Sequence, residues 1–223
     1  MQPLSNSLSL VNLTYDIQTL FDKMLAHHEA VQRLLKKSKE NLEKNPKEAL
    51  VNSTNYNIFG VNFSKPSQFD SVFPNIESTA LFLATYSIFE DILKKICKVL
   101  VNKKCNSTNV DKWFTGVLQK SKDLFIELNV FSETEILKEY EIIDYLRIIR
   151  NSMAHCNGYL LNNDREHSML LEKITSKFDI LSHIDVKEIE ENHILTITQS
   201  FFNYALIKLR DYLAFLHNAV YDK

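Results

Sequence analysis

Glycine is nearly absent from this chain, three residues in 223, and proline is scarce at four. Sheet-rich folds need tight turns and many α/β sites need glycine loops, so this scarcity points to helices joined by a few connections. It also removes the raw material for a P-loop or a dinucleotide-binding glycine motif, and neither pattern occurs. No eighteen consecutive residues are apolar, which argues against a membrane span. The first residues, Met1-Gln2-Pro3-Leu4-Ser5, lack a basic stretch followed by an apolar run, so no signal peptide is expected. Cys97, Cys105 and Cys156 are odd in number and widely spaced, which fits reduced thiols in a cytoplasmic protein better than a disulfide framework. The seven histidines, at 27, 28, 155, 167, 183, 193 and 217, form no HExxH and no His/Cys ligand spacing. Neither a metal nor another cofactor is expected.

What is present is ordinary for a globular domain: 45% apolar residues and 24% charged. The net charge of −2 gives no global attraction to nucleic acid. The charge is unevenly spread, however: residues 1–125 carry 16 Lys/Arg against 12 Asp/Glu, and residues 126–223 carry 10 against 16. The basic excess gathers at Arg33, Lys36, Lys37 and Lys39, and again at Lys94, Lys95, Lys98, Lys103 and Lys104. These read first as solvated helix faces, and as a phosphate-facing surface only where folding sets them beside a cleft.

Apolar periodicity places the elements. A helix over 9–43 shows Leu20, Met24, His27, Val31, Leu34 and Leu35 at three- and four-residue steps. Of the adjacent pair His27-His28, one member packs in this helix and the other faces water. Residues 52–74 read as an irregular covering loop with isolated aromatics. A second helix runs from about 75 to 101 with a wide stripe that includes Leu81, Thr85, Ile88, Phe89, Ile92 and Ile96. A shorter helix is expected over 110–128, a brief one over 170–178, and a closing helix over 198–220. Two β-rich segments, 178–184 and 193–197, suggest a small hairpin separated by the acidic stretch near Glu188. The expected architecture is a single all-α domain over 1–223, with four to five main helices, a core bundle over 75–220 and this hairpin before the last helix.

The helix over 132–155 stands apart. Ser132 followed by Glu135 is a capping box, and Gly158 is placed to stop the helix. Between them the sequence is apolar on nearly all sides, as for a central helix covered by several neighbours or by a second subunit. Its end is polar. Arg147, Asn151 and His155 lie at i, i+4 and i+8 and share a face. Arg150 lies about 140° around the helix from His155, within reach of a long guanidinium arm. Burying arginine without a partner is costly. Hence these groups either pair with each other and with an acid such as Asp144 or Glu90, or face a cavity that a charged ligand enters. The bland reading is a histidine at a helix C-terminus and a paired arginine. The chemical reading is a site for an anion: histidine moves protons near neutrality, arginine offers a fork to a phosphodiester, and asparagine orients either.

The stretch Tyr145-Leu146-Arg147-Ile148-Ile149-Arg150-Asn151-Ser152-Met153-Ala154-His155 resembles the signature of the HEPN family (higher eukaryotes and prokaryotes nucleotide-binding domains). That signature is Arg, four to six residues, then His, often with Asn after the Arg. The upstream run Ala80 to Leu93, containing Phe89-Glu90-Asp91, looks like that family's preceding core helix. The resemblance covers roughly 75–220. It implies a HEPN-like helical bundle and a metal-independent endoribonuclease, often a toxin or phage-defence effector. It further implies a homodimer in which two Arg…His motifs meet, with RNA as substrate and an antitoxin or defence-system protein as partner. In that reading His155 transfers protons, Arg150 stabilises developing charge and Asn151 holds substrate or histidine. Glu90, Asp144 and Arg147 are supporting candidates. The 2′-hydroxyl attacks its own phosphodiester and leaves a 2′,3′-cyclic phosphate. The same resemblance admits the alternative of a non-catalytic RNA- or protein-binding regulatory module.

Overall fold

A computed structural model of the chain describes residues 4–44, 57–58, 61–62, 72–161, 164–175, 184–189 and 192–222. It is predominantly helical, with a small antiparallel sheet. The described helices are α1 (Leu4–Lys44), α2 (Val72–Lys103), α3 (Val117–Glu127), α4 (Glu133–Cys156), α5 (Arg165–Thr175) and α6 (Gln199–Asp222). A two-residue ladder joins β1 (Asn57–Ile58) to β2 (Val61–Asn62). A three-stranded sheet has the order β3 (Tyr159–Leu160), β5 (Asn192–Ile197), β4 (Ile184–Ile189). The rest of the expected covering loop at 52–74 lies outside the described residues, apart from its last three, which begin α2. Pro74 sits in the first turn of α2, where a missing N–H removes no helical bond.

Helices α2 and α6 pack along each other most extensively, with α1 laid across both. Their interface is aromatic: Phe82 meets Phe201 edge-on at 5.3 Å between centroids, and Phe89 meets Tyr212 at 6.1 Å. Each such side chain removed from water contributes about 1.5–3 kcal/mol. Among the described residues no helix is long and apolar enough to cross a membrane.

The buried face of α1 is offset from the periodicity read above. Phe21 and His28 are buried, whereas His27 is exposed and Leu34 is 63% exposed. A polar partner explains the shift. Glu77 of α2 receives His28 Nδ1 at 2.8 and 2.9 Å and the Gln32 amide at 3.0 Å, so burial of the imidazole is offset by a carboxylate.

Other expectations need correction. The helix over 110–128 is two pieces, a 3-10 turn at Val110–Lys112 and then α3, because Gly116 adopts φ +64° and breaks the run. Phe114, beside that break, is 85% exposed. The brief helix is earlier than 170–178: Asp164 Oδ1 accepts from His167 N and starts α5 at Arg165. The first hairpin strand starts at Ile184, where it was expected to end, and Glu188 lies within it, opposite His193. Residues 178–183 lie outside the described set. Strand β3 was not anticipated.

Helix α4 is central, and the chain covers it. Ile136, Ile143, Leu146, Ile148 and Ile149 are buried against α2, α3, α5, α6 and β3, so most of its apolar surface is covered within the chain, while Leu137 is 41% exposed. The capping box is present: Ser132 N donates to Glu135 Oε2 at 2.7 Å, and Glu135 N donates to Ser132 Oγ.

Candidate active site

The polar end of α4 is held by a defined stop. Asn157 takes a left-handed conformation (φ 51°), and Gly158 follows at φ 83° with its N–H donating to Ser152 O at 3.0 Å. The Asn157 N–H donates to the same carbonyl, so two successive amides of the stop close on Ser152 O. Gly158 also lies against β5, receiving Leu195 N on its carbonyl at 2.9 Å. A Cβ at Gly158 would stand 2.9 Å from Leu195 O, so glycine is required for close approach as well as for its backbone angle. Ser152 Oγ donates to Tyr159 O at 3.0 Å and fixes the returning strand to the helix. The site histidine therefore sits on a stop anchored to the sheet.

His155 is exposed in the last turn and has no hydrogen-bond or ion-pair partner among the described residues. Five residues earlier, Arg150 donates from Nη1 to Asn151 Oδ1 at 2.9 Å. Both residues are half-buried. The Arg150 guanidinium carbon stands 5.9 Å from the centre of the Tyr86 ring, at the outer reach of a cation–π contact. Most of its N–H donors remain uncommitted.

Arg147, on the same face as Asn151 and His155, is by contrast committed. Its Nε donates to Asp144 Oδ1 at 2.7 Å, and its two terminal nitrogens donate to Glu166 of α5 at 3.1 and 2.8 Å. These hydrogen bonds to two carboxylates hold the guanidinium protonated, well above the usual arginine range, against the opposing effect of burial. Asp144 is thus the partner of Arg147 and not of Arg150.

Glu90 of α2 lies near Arg150 without an ion pair between them. Its carboxyl is raised from the ordinary range, chiefly by burial, while the Arg150 and Lys94 charges pull it partly back. Lys94 is the member of the second basic cluster that faces this region. Lys98 instead pairs with Asp111, Lys103 donates to Val220 O, and on α1 Arg33 and Lys39 pair with Glu29 and Glu43. Those clusters are largely solvated or self-paired faces.

The predicted residues thus divide. Arg150 and Asn151 are joined by a hydrogen bond near the end of α4 with Glu90 alongside, and His155 lies one turn beyond Asn151, exposed and with no contact to either, whereas Arg147 and Asp144 form a separate clamp with Glu166. Tyr86, fully buried on α2 with its ring facing Arg150, reads in the sequence only as part of an apolar helix. Its signal in the sequence was its position one turn before Glu90. Among the described residues no group of three His, Cys, Asp or Glu side chains is placed to hold a metal ion. No family model, curated protein or solved structure matches the chain.

Proposed function

We propose that this protein is a metal-independent endoribonuclease of the HEPN type, acting at the end of α4. The observation that carries the proposal is the contrast between two arginines three residues apart. Arg147 is consumed by two carboxylates, whereas Arg150 makes one neutral hydrogen bond, to Asn151, which stands one turn before an exposed His155 without a partner among the described residues. A half-buried arginine with free donors and an exposed imidazole at the same end of one helix suit a phosphodiester.

In this reading a neutral His155 takes the proton of the RNA 2′-hydroxyl as its oxygen forms a bond to phosphorus. The bond from phosphorus to the 5′-oxygen then breaks, and that oxygen takes a proton from the same histidine of a second copy. Arg150 holds the non-bridging oxygens as negative charge grows on them, and Asn151 holds Arg150 at the correct height. Two copies of the motif meeting in a homodimer supply the acid and the base together. A role as a toxin or defence effector, restrained by a partner protein, is part of the same proposal.

The test is cleavage of mixed RNA in EDTA. The proposal expects fragments whose 3′ ends resist phosphatase until acid opens a cyclic phosphate. It also expects no cleavage when a 2′-deoxy residue replaces the ribose at the cut, and none by His155→Ala.

A further inference from the structure

The three-stranded sheet has two unlike faces. Leu160, Ile184, Leu195 and Ile197 are buried on the inner one. Side chains alternate along a strand, and directly opposed residues share a face. Tyr159, Ile194 and Lys187 therefore form one row on the outer face, since Tyr159 pairs with Ile194 and Ile194 with Lys187. Strand spacing sets the ends of the row about 10 Å apart. Tyr159 is 40% exposed and Lys187 is exposed, with Ile194 part-covered between them. Neither end side chain has a hydrogen bond, ring contact or ion pair among the described residues.

This row adjoins the end of α4. Tyr159 follows His155 by four residues, a path of at most about 14 Å along the chain. The path is held at two points: Gly158 O receives Leu195 N at 2.9 Å, and Tyr159 O receives Ser152 Oγ at 3.0 Å. An exposed ring and an ammonium without a carboxylate partner suit a single strand of nucleic acid, whose bases stack on aromatic faces and whose phosphates attract cations. A protein partner would be served by a wider apolar face, and the row offers one aliphatic side chain, already part-covered.

We propose that the outer face of this sheet seats single-stranded RNA, with a base beside the cut stacked on Tyr159 and a phosphate further along held by Lys187. The inference rests on the nuclease reading above. Neither residue touches the reacting atoms. The surface meets the flat face of a base and the backbone, so it favours unpaired over paired RNA and discriminates little between sequences.

The experiment measures anisotropy of a labelled single-stranded RNA on the His155→Ala protein, beside cleavage by proteins with His155 intact. Tyr159→Leu should weaken binding about tenfold, whereas Tyr159→Phe, which keeps the ring, should stay within about twofold of its parent. Lys187→Ala should lower the slope of log Kd against log salt by about 0.7, the single-strand value for one phosphate contact. With His155 intact, Tyr159→Leu should raise KM about tenfold and leave kcat nearly unchanged. The substituted side chains are exposed, so every variant should melt like its parent. If Tyr159→Leu binds like its parent, or Tyr159→Phe binds as weakly as Tyr159→Leu, the seating surface is overturned. Cleavage that is still lost in His155→Ala then leaves the nuclease reading standing. Ring-dependent binding by a protein that cuts no RNA keeps the surface and removes the nuclease. No RNA binding at low salt removes the surface, whatever the cleavage result.

Discussion

Arg147 and Glu166 meet through two hydrogen bonds, 3.1 and 2.8 Å long, that join α4 to α5 across 19 residues of sequence. Asp144 completes the clamp at 2.7 Å. The effect is to fix α5 beside the helix that carries His155 and to withdraw one arginine from any ligand.

Arg147→Met should therefore act on stability more than on chemistry. The clamp is partly exposed, so its net worth is discounted for solvent, at about 1–2 kcal/mol. Urea unfolding should show a lower midpoint with an unchanged slope, and part of the loss should disappear in high salt. RNA cleavage by the remaining folded protein should fall far less than in Arg150 variants.

Arg150→Lys keeps the charge and removes the planar fork. The proposed reaction should slow by at least about tenfold, because lysine cannot bond Asn151 and a phosphate in the same geometry. Steady-state kinetics on a short RNA should place the loss in kcat.

Gly116 and Gly158, both left-handed, separate backbone strain from steric clash. Nothing lies within 4 Å of a Cβ at Gly116, so Gly116→Ala should cost about 1 kcal/mol from its φ alone. Gly158→Ala adds a contact with Leu195 O at 2.9 Å, and should cost at least about twice as much. It should also weaken catalysis, since the same turn sets His155. Chemical denaturation of both variants checks the order.

Glu90→Gln should stabilise the protein at neutral pH. Burial raises the folded-state pKa of this carboxyl above its unfolded value, so the folded state binds the proton more tightly. The penalty for ionising it appears as pH rises through the ordinary carboxylate range, and is full above the raised value. Melting temperatures of variant and wild type should differ at pH 7 and converge as pH falls below about 4.

Helices were legible where one residue type dictates a local outcome. Ser132 and Glu135 closed a capping box, and Gly158 followed the histidine it was expected to follow. Several of the misses share a cause, which is a partner distant in sequence. His28 rather than His27 is buried because Glu77 awaits it on α2. Strand β3 exists because β5 lies alongside Gly158, whereas the early start of α5 is a local effect of its cap Asp164. The same holds at the site. The Arg150-Asn151 contact is between neighbours and could be anticipated, but the capture of Arg147 by Glu166 depends on how α5 packs. Tyr86 was hidden in an apolar stripe, where a phenol reads like any other aromatic.

His155 offers the most direct test of the account, because it is exposed and unpartnered, and its loss should leave the fold intact. RNA cleavage in EDTA should be robust for wild type and absent for His155→Ala, with melting temperatures nearly equal and 2′,3′-cyclic phosphate ends on the wild-type products. Equal cleavage by the two proteins, or no cleavage by either across diverse RNAs, would contradict it.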